Sequence, residues 1–221
     1  MAERIVLFGG TFNPIHHGHL IVARAMAEYY HFERVTFVPA AVPPHKSLAP
    51  GQEVQEAPAI KLPTAEDRLE MVRLAIAGEG LFEVSDIELR RQPPSYTIDT
   101  LLAMRQRHGL EAQLHWVIGA DMLEDLPTWR RADEVVEMCR IITAARPPWS
   151  SRLEEVLERL RVRFTAEQVA RLAAGVTPTP LIDITSTQVR HRSRQGRSIR
   201  FLTPEPVVEY IRAKGLYRVC E

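Results

Sequence analysis

The residues best suited to chemistry stand close to the start of the chain, in Gly9-Gly10-Thr11-Phe12-Asn13-Pro14-Ile15-His16-His17-Gly18-His19. A glycine pair lets backbone N–H groups approach an anion with no Cβ in the way. His16 and His19 are three residues apart, so a helix beginning near Pro14 or Ile15 would put both imidazoles on one face, beside the positive end of its dipole. Two imidazoles there can donate to one phosphate. The same spacing suits a transition-metal pair or a helix start with incidental histidines, and spacing alone leaves all three readings open. Neither G-x-x-x-x-G-K-[ST] nor G-x-G-x-x-G occurs, which argues against a P-loop NTPase and a dinucleotide dehydrogenase.

The elements that must position this loop follow from hydrophobic patterning. β-branched or aromatic runs at 5–8, 35–38, 82–86, 114–118, 141–144 and 181–184 alternate with helical apolar spacing at 20–30, 66–77, 97–107 and 131–138. Strand alternating with helix predicts an α/β, Rossmann-like, doubly wound fold: a mainly parallel sheet of about six strands with helices on both faces. The glycine loop follows the first strand, where ligands of such sheets bind. A single domain over 1–221 is expected. Within it, 40–64 reads as a loop because it holds Pro43, Pro44, Pro50, Pro58 and Pro63. The stripes Leu153, Val156, Leu157, Leu160 and Val169, Leu172, Ala173 predict a helical insertion over 150–174, and 185–218 a C-terminal helical segment.

Composition narrows the function. The 221 residues are 45% hydrophobic and 25% charged, which excludes wholesale disorder, and 28 basic residues balance 28 acidic ones. A chain of zero net charge is not expected to wrap nucleic acid, so an anionic partner should be small and locally gripped. Cys139 and Cys220 read as incidental, not as a disulfide framework. A strand-like run starts within the first few residues and no window approaches about 20 apolar residues, so neither a signal peptide nor a membrane span is expected and the cytoplasm is the expected compartment.

The loop from Gly9 to His19 resembles the GGTFDPIHxGH signature of bacterial nicotinate-mononucleotide adenylyltransferases, within the H-x-G-H nucleotidyltransferase superfamily. The resemblance continues in Pro43-Pro44-His45-Lys46, in Pro94-Ser95-Tyr96-Thr97-Ile98-Asp99-Thr100-Leu101, in Ile118-Gly119-Ala120-Asp121 with Pro127-Thr128-Trp129, in Arg146-Pro147 and in Ile184-Thr185-Ser186-Thr187-Gln188-Val189-Arg190. Leu202 to Ile211 and Gly215-Leu216-Tyr217 also match. One H-x-G-H would be weak, since cytidylyltransferases and class I synthetases share versions of it; seven elements in order are specific.

The resemblance implies adenylyl transfer from ATP, with Mg²⁺, to nicotinate mononucleotide, giving deamido-NAD and pyrophosphate. His16 and His19 would serve the triphosphate and the transition state, with no metal held by the protein. Gly9, Gly10, Thr11, Phe12, Gly18, Gly119, Asp121, Arg146, Ser186, Thr187 and Arg190 would hold ATP. Asn13, His45, Lys46, Tyr96, Thr97 and Trp129 would hold the mononucleotide, Trp129 by stacking on its ring and Tyr96 and Thr97 by donating to its carboxylate. Asn13 stands where the bacterial signature has Asp, which keeps nicotinamide mononucleotide or dual specificity as alternatives; a catalytically silent nucleotide-binding relative is another. A homo-oligomer contact would be carried by the 40–64 loop or the 150–174 helices.

Overall fold

The computed structural model describes residues 3–42, 60–145 and 149–218. Six strands form one wholly parallel sheet: β1 (Arg4–Gly10), β2 (Val35–Pro39), β3 (Phe82–Val84), β4 (Gln113–Gly119), β5 (Arg140–Ala145) and β6 (Val176–Pro178), in the order β3-β2-β1-β4-β5-β6. The chain winds outward from β1 to β3, then returns to lay β4 against the other side of β1. This is the doubly wound Rossmann-like order, and the reversal opens a crevice between the carboxyl ends of β1 and β4.

Strand alternation produces two cores. On one face Val6, Phe8, Phe37, Val117 and Ile142 pack with α1 (His17–Tyr30), α2 (Ala65–Ile76) and the two C-terminal helices, α8 (Ser186–Arg194) and α9 (Glu205–Lys214). On the other, Leu7, Val38, Trp116, Ile118 and Ile141 meet α3 (Thr97–His108), the short α4 (Ala120–Asp125), α5 (Ala132–Met138), α6 (Trp149–Leu160) and α7 (Ala166–Ala174). Neighbouring strand residues thus bury opposite ways, which is why the strands read as nearly continuous apolar runs.

One expectation needs correction. The 181–184 run forms no strand; Leu181 is exposed, and the sixth strand is Val176–Pro178, paired with Thr143 to Ala145. Gly175 permits this, because a Cβ there would meet the Ile141 carbonyl. The helices expected over 150–174 form the crossover from β5 to β6, with Val156, Leu160, Val169 and Leu172 buried in the second core. Cys139 is buried with a free thiol, raised in pKa by that burial, and Cys220 lies outside the described residues. Among the described residues no helix is long and apolar enough to cross a membrane.

Candidate active site

The chain leaves β1 through Gly9 and Gly10 and bends sharply at Phe12, whose φ of 46° is left-handed. Both glycines answer to crowding: a Cβ on Gly9 would land inside the Trp116 ring and one on Gly10 against the Phe12 ring. Phe12 turns inward, 2% exposed, and sets its ring edge-on to His19 with centroids 5.1 Å apart. Any contact it makes with a ligand would therefore come from its backbone.

Helix α1 starts two or three residues later than its sequence suggests, with His16 as N-cap and His19 in the first turn. The His16 amide donates to His19 Nδ1 at 3.2 Å, which puts the His19 ring proton on Nε2 and leaves that nitrogen as a donor. The two rings stack with centroids 3.7 Å apart. A Cβ on Gly18 would press on the His16 ring and on the Ile184 carbonyl, so glycine is needed for this close approach. At this helix start the His17 amide donates to the Leu202 carbonyl and the His19 amide to the His16 carbonyl, both at 2.9 Å, so attraction for an anion rests on the positive end of the helix dipole and the His19 ring more than on those amides.

The C-terminal segment clamps this loop from below. Arg190 donates to the Asn13 carbonyl at 2.8 Å and to Thr187 Oγ1 at 3.0 Å, Ser186 Oγ to the Pro14 carbonyl at 2.9 Å, and Thr203 Oγ1 to the Ile15 carbonyl at 2.8 Å. Buried Tyr217 donates its hydroxyl to Asn13 Oδ1 at 2.7 Å. The cap of α8 is Thr185, in a reciprocal pair with Gln188.

Across the crevice a cavity of about 300 Å³ is lined by Gly9, Gly10, Thr11, Tyr96, Thr97, Gly119 and Trp129. Seven of the residues expected at the site therefore share one cavity. Tyr96 caps α3, so the first free amides of that helix begin at Thr97. The Trp129 indole nitrogen is buried and has no hydrogen-bond partner among the described residues. Asp121 is exposed on the first turn of α4 and folds back over Gly119. His45, Lys46 and Arg146 lie outside the described residues.

Three residues that hold the site were not expected from the sequence. Arg68 of α2, 5% exposed, donates to the carbonyls of Thr11 (2.8 Å), Ala40 (2.5 Å) and Ala41 (2.8 Å), bracing the exits of β1 and β2 together. Glu88, also 5% exposed, lines the cavity and accepts from Thr100 Oγ1 at 2.7 Å; burial pushes its carboxyl above the ordinary glutamate range. Ser95 ties the turn before α3 to the β2 exit, accepting from the Ala41 and Val42 amides. Arg68 had a signal: it precedes buried Met71 and Val72 by three and four residues, on the stripe that faces the core.

A cytidylyltransferase-like family model matches residues 7–192. A Gloeobacter violaceus protein named probable nicotinate-nucleotide adenylyltransferase is 42% identical over 224 residues, 99% of this chain and 98% of that one. The chain belongs to the nicotinate-nucleotide adenylyltransferase family. A second relative in the family, from Thermomicrobium roseum and of the same name, is 38% identical over 99% of this chain and 94% of its own length. Among solved structures, Plasmodium falciparum nicotinic acid mononucleotide adenylyltransferase complexed with NaAD superposes with a TM-score of 0.71 at 16% identity, covering 97% of both chains. That likeness shows a common fold across a distance at which little sequence is shared.

Proposed function

We propose that this protein transfers the adenylyl group of ATP to nicotinate mononucleotide, giving deamido-NAD and pyrophosphate, as a cytoplasmic enzyme of NAD biosynthesis. One observation carries the reading beyond family membership. The glycine loop after β1 opens into the same cavity as Tyr96, Thr97 and Trp129, so an anion site and a flat, partly aromatic acceptor pocket adjoin at the sheet's switch point.

In this reading the triphosphate lies over the start of α1, with its α-phosphorus facing the acceptor pocket. A mononucleotide phosphate oxygen attacks that phosphorus in line; the new O–P bond forms as the bond to the β-phosphate oxygen breaks, and pyrophosphate leaves. The attacking phosphate is already anionic, so no general base is required. His19 Nε2 donates to the oxygens on which charge develops, and His16 buttresses it by stacking. Gly119 and Asp121 lie on the ATP side, and Arg190 with Ser186 and Thr187 completes it. Mg²⁺ enters as part of the MgATP substrate.

Trp129 supplies the stacking face for the pyridine ring, and the α3 amides at Thr97 receive its carboxylate. The test is product identification: with ATP labelled at the α-phosphorus, the label should appear in deamido-NAD. Label released as AMP without dinucleotide would overturn the transfer reaction.

A further inference from the structure

Among the described residues, the charged side chains that line the acceptor cavity are Glu88, Asp125 and Arg130. Two are acids, and a carboxylate ligand must bind near them. Glu88 is turned to protein partners, accepting from Thr100 Oγ1 and from Ser95, with Arg68 and Arg91 close enough to draw its charge. Asp125 is exposed and screened by water. Arg130 is the one cationic side chain in the lining, among the described residues, and it is held in place: its guanidinium carbon lies 4.7 Å from the Tyr96 ring centroid. A guanidinium stacked on an aromatic face loses less freedom when it meets an anion than a free surface arginine does.

Position adds to this. Tyr96 is the N-cap of α3 and Arg130 follows Trp129 directly, so the stacked pair bridges the two walls of the pocket at its rim. We infer that the Arg130 side chain, stacked on Tyr96, is a specificity-determining residue: its charge favours the acid mononucleotide over the amide. The inference rests on the acceptor assignment above. It concerns the side chain's charge, apart from any donation by backbone amides, and it adds a counterweight to Asn13, which by itself gives no preference for an acid.

The test is calorimetric binding of nicotinate mononucleotide and nicotinamide mononucleotide, separately, to the full chain and to its Arg130→Gln and Arg130→Lys variants. Arg130→Gln should weaken binding of the acid about fivefold, the scale of one exposed charge pair, and leave the amide within about twofold. Arg130→Lys should restore part of the acid preference, because the charge returns without the planar stack. Raising salt from about 0.05 to 0.5 M should shrink the preference of the unmodified protein towards that of Arg130→Gln. Equal losses for acid and amide would mean that Arg130 only supports Tyr96, and no loss for either would remove it from the pocket; both results overturn the inference while leaving the acceptor assignment standing. Binding of neither mononucleotide to the unmodified protein overturns the assignment and the inference with it.

Discussion

The Tyr217 hydroxyl donates to Asn13 Oδ1 at 2.7 Å, joining residues at opposite ends of the chain. With its oxygen held, the Asn13 side chain has a fixed orientation and its amide nitrogen remains as the donor end. The C-terminal segment is thereby part of the site: α8 and the residues beyond α9 set the loop on which the α1 histidines stand.

Tyr217→Phe should isolate this bond. Leaving Asn13 Oδ1 without its buried donor costs about 1–3 kcal/mol, and kcat/KM should fall about tenfold with a lower Tm. A lower Tm with unchanged kinetics would reduce the bond to a structural one.

His19→Ala should lower kcat on the order of 10²-fold or more while ATP binding weakens only modestly, since Nε2 is assigned to charge that develops in the transition state. Turnover close to that of the unmodified enzyme would remove that role.

Trp129→Ala should chiefly raise KM for the mononucleotide. Steady-state kinetics with each substrate varied in turn would reveal an effect confined to ATP, which would mean that the two pockets have been exchanged.

Arg68→Met keeps the bulk of the side chain but strips the donors from the carbonyls of Thr11, Ala40 and Ala41. Losing charge-assisted bonds in a buried position should cost about 3 kcal/mol, visible in chemical denaturation. A change below about 0.5 kcal/mol would show that the two strand exits hold together without it.

Glu88 supplies a pH test. Its folded pKa is raised, first by burial, so the folded state favours the protonated form. The associated stability is fully present below the unfolded glutamate pKa, near 4.5, and is lost as pH rises through the folded value. Glu88→Gln mimics the protonated form, so its Tm relative to the unmodified protein should rise between pH 4.5 and 7.5. A constant difference across that window would contradict the assignment.

Much of this fold is legible in the sequence, for identifiable reasons. Strands β1, β2, β4 and β5 are buried on both faces, so apolar runs mark them, and the glycine loop, Tyr96-Thr97 and Trp129 converge because each ends or follows an element at the carboxyl edge of the sheet. The sixth strand is hidden for the opposite reason. It is three residues at the sheet edge, ending in Pro178, and an edge strand of that length carries no period, whereas the apolar 181–184 run beside it is a decoy. Arg68, Glu88 and Tyr217 are missed because their roles depend on partners far away in sequence. Pattern reading locates the residues that face a ligand better than those that hold them.

The most direct test of the central claim is pyrophosphate release from MgATP with nicotinate mononucleotide and nicotinamide mononucleotide supplied separately. Faster release with the acid is expected, from the Thr97 amides, the Trp129 face and the charge at Arg130. Equal or faster release with the amide would contradict acid selectivity, and no release with either would contradict catalysis itself.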